Sequence, residues 1–500
     1  MLVDVTRKVD FELVFGFVAP IGTDLDSVIQ KLSDELRVYG YGSTAIRLSH
    51  LLDIDPSATD TVGYFKARMD KGDELRRNFE SGDVLAALAV ARIVKLRKKK
   101  PLERRFAWLL RTLKHEDEVT LLRQTYGKRF VLIGVYQALA KRQRNLLGIL
   151  KDESPGDANH ASRVEELIRR DEMDLENDFG QHGRNVYAEA DYLLDMDGDL
   201  TFEVARMVGL MFGDPFRTPT RDESSMFHAF ASALRSADPG RQVGATISSP
   251  DGEILATGSN EVPKFGGGEY WDGDDPDGRD FAEGHDYNKR QIRRTLSEAL
   301  AALNKGGFLA SEFAELSAEE RLTQVLSSPD AAMKQTRPLS LIEFGRIVHA
   351  EMSALSQAAR LGTPVKGGIL YTTAFPCHMC MRLIVASGIK RVVYVDPYPK
   401  SLASEMYSDS TTEDRSSQST KVLIEPFRGA SWNIYAQVFA GMNRSREADG
   451  SFVPFEKLSS RFRLAEAEPL VNAVALEAQI PVALSAAADK KKPAPNKEEP

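Results

Sequence analysis

The chain has 500 residues and two cysteines, and both cysteines stand in one pentapeptide, PCHMC, at Pro376 to Cys380. That placement constrains the fold more than any other feature. Two thiols three residues apart share one face of a helical turn, and Pro376 suits the first position of a helix. A helix is therefore expected to start here. Both sulfurs then lie near the positive end of its dipole, which favours thiolates. Neighbouring cysteines on one turn are badly placed for a disulfide. The pair is suited to metal binding or redox chemistry, and two thiolates do not close a tetrahedral zinc site. The fold has to bring further ligands to this turn from another segment.

Upstream, VHAEM supplies His349 and Glu351 at the start of a second amphipathic helix. H-x-E followed by P-C-x-x-C is the pattern of zinc-dependent nucleoside and nucleobase deaminases. The chemistry needs these residue types. Zn²⁺ on one imidazole and two thiolates keeps a fourth position open and makes hydroxide available near neutral pH. A carboxylate that is not a ligand must then carry protons. The expected assignment is zinc on His349, Cys377 and Cys380, with Glu351 as the catalytic proton carrier. A C-x-x-C alone also serves redox pairs and halves of structural zinc sites. A structural site wants a fourth protein ligand, no other cysteine exists, and His50, His115 and His378 are scattered. His378, between the cysteines, is expected to face away from the metal.

A net charge of −8 disfavours a dedicated binder of nucleic-acid backbone, which normally shows a basic balance. The densest basic run, KLRKKK at Lys95 to Lys100, has no interleaved aromatics and reads as a solvated helix end. The first residues, MLVDVTRKVDFELVFG, do not resemble a signal peptide. No apolar stretch approaches the ~20 residues of a spanning helix. The expectation is a cytoplasmic protein with no membrane partner.

Along the first ~215 residues, strand-like and helix-like pieces alternate, which implies a mostly parallel sheet covered on both faces. FELVFGFV, RFVLIGVY and ADYLLDMDG read as strands. GDPFRTPTRDESS, Gly213 to Ser225, reads as the main boundary. A second α/β unit follows: the helix MFHAFASALRSA, a hairpin turning at PDG, the helix IVHAEMSALSQAARLG, the strand GGILYTTAF, the cysteine helix and the strand KRVVYVD. The expected domains are residues 1–218, residues 222–445 with an insertion at about 262–339 that is partly a mobile loop, an extension at 446–483 and a disordered tail at 484–500.

The second unit resembles deoxycytidylate deaminases in its motifs: RQVGATI, ILATGSNEVP, HAEMSAL and LYTTAFPCHMC. The resemblance implies a cytidine-deaminase-like α/β/α sandwich and gives Asn260 a substrate-binding role. As a residue after a strand, Asn260 also reads as a turn former. The whole chain resembles the bacterial anti-phage dCTP deaminases, in which a P-loop-like (nucleotide-kinase-like) parallel-sheet domain precedes the deaminase. The segments LIRRDEMDLENDFGQHGRNVYAEADYLLD and YPKSLASEM add to that likeness. What it implies is conversion of dCTP, and also dCMP, to the deoxyuridine forms, so that phage replication is starved of dCTP. A regulatory nucleotide or RNA at the N-terminal domain and a homo-oligomeric assembly are expected as partners.

GFVAPIGTD, Gly16 to Asp24, follows a strand and precedes a helix, which is the context of a phosphate-binding P-loop. Gly16, Gly22, Thr23 and Asp24 are its candidate nucleotide-binding residues. The match is degenerate: five residues separate the glycines, and Thr23 and Asp24 stand where Lys and Ser/Thr belong. Nucleotide binding and a purely structural turn both remain open. DMDGD, Asp195 to Asp199, lacks the downstream glutamate of a calcium loop and reads as a turn. Two other functional classes share parts of this pattern, a polynucleotide deaminase and a nucleotide- or RNA-binding regulator with a subordinate deaminase domain.

Overall fold

The strand β1 (Glu12–Val18) reads ELVFGFV, and six of its seven residues are buried. A run with no polar alternation belongs in the middle of a parallel sheet, covered on both faces. The computed structural model describes residues 12–52, 54, 60–99, 105–153, 159–173, 183–327, 336–341, 343–397, 401–442, 444–465 and 470–490. In it β1 lies at the centre of its sheet, paired in parallel with β3 (Phe106–Arg111) on one side and β4 (Phe130–Tyr136) on the other. β2 (Gly42–Arg47) adds in parallel to β3, and β5 (Tyr192–Asp195) in parallel to β4.

The chain divides into two compact units, residues 1–227 with 395–400 and 426–500, and residues 228–394 with 401–425. The first holds the β1 sheet. Helices Leu25–Val38 and Leu200–Met211 pack against each other and share a core with β1 that includes Phe15, Phe17, Leu32 and Met207. Residues from the end of the chain, Ala430, Ile434, Val438 and Phe462, belong to the same core. The segment from 426 onward thus groups with the N-terminal sheet, whereas the sequence suggested that 222–445 would form one domain. Helix Leu470–Lys490 runs into the stretch expected to be a disordered tail, and 491–500 lie outside the described residues.

The basic run Lys95–Lys100 begins inside helix Val84–Lys99, and its Arg97 is bound by Glu12 (2.9 Å) and Glu477 (2.6 Å). Asp195, Asp197 and Asp199 form a turn. Asp199 caps helix Leu200–Met211 through the Phe202 amide, and Asp197 pairs with Lys141 at 2.7 Å.

The second unit is built on β6 (Gly244–Ser248), β7 (Ile254–Ser259), β8 (Ile369–Ala374), β9 (Arg391–Asp396), β10 (Thr411–Thr412) and β11 (Val422–Pro426), in the order β10-β11-β9-β8-β6-β7. β6 pairs antiparallel with β7, the anticipated hairpin, and with β8. The remaining strand, β12 (Gly429–Ala430), lies antiparallel to β5 in the first unit. Helix Ala350–Leu361 packs on β7 and β6, and its Ala350, Ala354 and Ala358 join Ala245, Ile247, Leu370 and Ile384 in the core. Much of the expected insertion is helical: Tyr287–Lys305 packs on Ala318–Ser327 through Ile292, Leu296 and Leu322. Among the described residues no helix is long and apolar enough to cross a membrane.

Candidate metal centre and catalytic carboxylate

Two helices begin at the site. His349 is the N-cap of helix Ala350–Leu361, and Cys377 is the N-cap of helix His378–Ala386. Neither side chain makes the capping hydrogen bond that an N-cap side chain commonly makes. Both are turned to the site instead. Pro376 precedes the cap and is not the first helical residue, so the cysteine helix starts two residues later than Pro376 suggested. The conclusion about charge stands, because two positive helix ends converge on the sulfurs.

His349 Nδ1 lies 3.3 Å from both Cys377 Sγ and Cys380 Sγ, and the sulfurs are 3.6 Å apart. Zinc bonds of about 2.3 Å to sulfur and 2.0–2.1 Å to nitrogen, at tetrahedral angles, put ligand atoms roughly 3.5–3.8 Å apart. The triangle fits zinc with a small expansion, and its soft thiolate and imidazole donors suit that ion. Among the described residues these three form the one His/Cys/Asp/Glu group close enough to hold a metal.

Electrostatics agree with the geometry. The hydrogen bond with Cys380, followed by that with His349, pulls the Cys377 thiol down to about 4. Cys380, fully buried, is pushed up by its hydrogen bond with Cys377 and by burial. The hydrogen bond to Cys377 raises His349 above its ordinary value. A metal is held by thiolates, so metal binding at this pair releases protons.

Glu351 is second in its helix, 4 % exposed, with Oε2 at 3.4 Å from Cys380 Sγ. Burial raises its pKa above the usual carboxylate range. It lies beside the ligand triangle without joining it. His378 faces away, with Nε2 at 3.7 Å from a Glu343 oxygen. Two further residues support the site, Ser401 from the YPKSLASEM segment and Asp238, which no motif signalled. Ser401 donates to the Pro376 carbonyl at 2.8 Å, fixing the turn that enters the cysteine helix. Asp238 lies close enough to His349 to contribute to its raised pKa.

Asn260 is 6 % exposed, and its amide is engaged: Oδ1 accepts from the Val243 amide (2.6 Å), and Nδ2 donates to Asp238 (2.9 Å) and to the Arg241 carbonyl (2.7 Å). It fastens the loop between helix Arg221–Ala233 and β6. One lone pair of Oδ1 is left for another donor.

The P-loop-like residues lie in the other unit. Gly16 is inside β1, where a Cβ would meet Leu113 at 2.6 Å and Phe130 at 2.9 Å. Gly22 turns at φ +84°, and Thr23 donates its hydroxyl to the Pro20 carbonyl at 2.7 Å. Asp24 is the N-cap of helix Leu25–Val38, accepting from the Ser27 amide at 3.2 Å. A carboxylate thus already occupies the helix end where a phosphate would bind.

Residues 219–396 match the family described as "Cytidine and deoxycytidylate deaminase zinc-binding region". The chain is 43% identical over 53 residues to the deoxycytidylate deaminase of Enterobacteria phage T4, covering 11% of this chain and 28% of that protein. With the cytosine deaminase of Candida albicans identity is 41% over 107 residues, 21% of this chain and 64% of the other. With human deoxycytidylate deaminase it is 27% over 188 residues, 38% and 67%. The chain thus spans little more than a quarter of the phage enzyme and of the ComE operon protein 2 of Bacillus subtilis, 28% in each case. The crystal structure of dCMP deaminase from cyanophage S-TIM5 in complex with dCMP and dUMP aligns with 42% of this chain and 100% of that one, at 18% identity and a TM-score of 0.23.

Proposed function

Starting from a chain that carries a deoxycytidylate deaminase-family zinc-binding domain at residues 219–396, we propose that the protein hydrolytically deaminates free deoxycytidine nucleotides. The substrates are dCTP, giving dUTP, and dCMP, giving dUMP. The observation that carries this reading is the buried Glu351 carboxylate beside the His349–Cys377–Cys380 triangle. When bound there, zinc lowers the pKa of a water so that hydroxide is available near neutral pH.

Glu351 handles the protons. Its carboxylate takes one from the attacking water and delivers it to the ring nitrogen beside the amino-bearing carbon. It then takes the second proton from the hydroxyl newly formed on that carbon and passes it to the departing amino group. A C–O bond forms, the C–N bond breaks and ammonia leaves. Burial, which raises the pKa of Glu351, suits a group that must hold a proton between two transfers. Asn260 stiffens the loop at residues 238–243 and offers its remaining Oδ1 lone pair to the nucleotide.

The likeness of the whole chain to anti-phage dCTP deaminases supports a place in cytoplasmic antiviral defence, by depletion of dCTP. Purified protein incubated with dCTP, dCMP, cytidine and single-stranded DNA, with uracil products measured, tests the reading. Turnover of the free nucleotides with DNA untouched is expected. Uracil appearing in DNA alone replaces this reading with a polynucleotide deaminase, and no product from any of the four overturns it.

A further inference from the structure

β1, β2 and β3 run parallel, so their carboxyl ends lie on one edge of the sheet. Ligands of open α/β sheets bind in the crevice outside that edge. A cavity of about 200 Å³ opens there, lined by the turn after β1 at Ala19–Thr23, by Arg47 at the end of β2 and by Arg111 at the end of β3. Arg68, Arg76 and Lys114 also line it, against a single carboxylate among the described residues, Asp171.

The compensation of these charges is uneven. Lys114 pairs with Asp171 at 2.7 Å, and Arg76 with Asp73 and Glu118 at 3.2 Å each. Arg47 and Arg111 share one carboxylate, the largely exposed Asp26. Arg68 stacks on the Tyr64 ring at 3.9 Å and bonds to its hydroxyl, and among the described residues it pairs with no carboxylate. Burial first, with Arg47 contributing, lowers both Arg68 and Arg111 below the ordinary guanidinium value. Among the described residues, three guanidinium groups crowd one crevice with half a carboxylate partner each or none. The other wall is apolar, from Leu48, Leu52, Phe65 and Met69.

We propose that this cavity binds a phosphate-bearing organic anion, with the phosphate on Arg47, Arg68 and Arg111 and the organic group along the Phe65–Leu52 wall. Planar guanidinium forks match phosphate oxygens in pairs. The site differs from a backbone phosphate loop. The end of helix Leu25–Val38 carries its own carboxylate, Asp24, so the anion is recognised by side chains across the crevice. This inference does not rest on the deaminase reading, because every residue named lies in the first unit.

Calorimetric titration of the full-length protein with inorganic pyrophosphate and with ATP tests it. Pyrophosphate reads the cation cluster alone, and ATP reads the cluster with the apolar wall. Both are expected to bind, ATP more tightly, and both more weakly as NaCl is raised. Arg68→Glu is expected to weaken binding roughly 10- to 100-fold, with zinc content and unfolding midpoint unchanged. Should that variant fail to fold, Arg68→Gln and the salt dependence of the wild type provide the same reading. Equal affinities for the two probes overturn the organic wall. Salt-insensitive binding, binding indifferent to Arg68, or no binding of either probe overturns the site.

Discussion

His349 and Cys377 occupy the same position, the N-cap, on two different helices, and their Nδ1 and Sγ atoms lie 3.3 Å apart. Each helix therefore offers a candidate ligand from its most positive end, and each carries a second residue of the candidate site within its first turn, Glu351 on one and Cys380 on the other. In the proposed mechanism, metal ligation and proton transfer are thus divided between residues only two or three positions apart.

Glu351→Gln keeps the size and hydrogen-bonding reach of the side chain but not its proton. Stoichiometric zinc by elemental analysis is expected, with deamination reduced by roughly 10²- to 10⁴-fold. Near wild-type uracil production from a zinc-loaded variant would falsify the role assigned to Glu351.

Cys377→Ser and Cys380→Ser each remove one corner of the triangle. Metal content is expected to fall to a small fraction of wild type and the unfolding midpoint to drop, because metal binding free energy is also folding free energy. A chelator is expected to shift wild-type unfolding in the same direction. Full zinc occupancy in either serine variant means that the ligands are elsewhere.

Gly258 in β7 lies where a Cβ would stand 2.3 Å from the Ala350 carbonyl oxygen and 2.4 Å from the Ala354 amide. The strand and the His349 helix touch backbone to backbone, and neither contact can be relieved by a rotamer change. Gly258→Ala is expected to cost about 1–3 kcal/mol, read from urea unfolding. It should also weaken zinc retention, since the displaced helix carries His349 and Glu351. Unchanged stability together with unchanged metal affinity would show that the helix tolerates the displacement.

Arg206 and Glu223 form a buried two-pronged pair at 2.6 and 2.8 Å, and Glu223 also accepts from the amides of Thr220 and Ala430, each at 2.8 Å. Arg206→Met leaves a buried carboxylate without its cation, which costs about 3–5 kcal/mol. Replacing both, as Arg206→Met with Glu223→Gln, should recover part of that loss. A double variant as unstable as the single one removes the ion pair from the account.

The unit that carries the candidate metal centre was the more legible in the sequence. His349, Glu351, Cys377 and Cys380 announce themselves because few residue types ligate zinc and their spacing follows helix geometry. β1 and β4 were legible as unbroken apolar runs. β2, GSTAIR, was not: it is an edge strand with one fully buried residue, so no apolar pattern marks it. β3, FAWLLR, follows the basic run, which drew attention to charge. The grouping of residues 426–500 with the first unit depends on contacts hundreds of positions apart, which no local pattern encodes. The arginine crevice was equally hidden. Arg47, Arg68 and Arg111 are ordinary in sequence and meet only because parallel strands end at one edge.

The shared N-cap position has a kinetic consequence. The bonds that close the two first turns are Ser353 N–H to the His349 carbonyl, at 2.8 Å, and Met381 N–H to the Cys377 carbonyl, at 2.9 Å. Both acceptors belong to residues whose side chains meet at one point. With the side chains tied together, neither turn can fray without pulling on the other, so the two amides should exchange with deuterium in step despite lying 28 positions apart. Untied, each helix start lacks a side-chain cap, and the two amides should exchange independently.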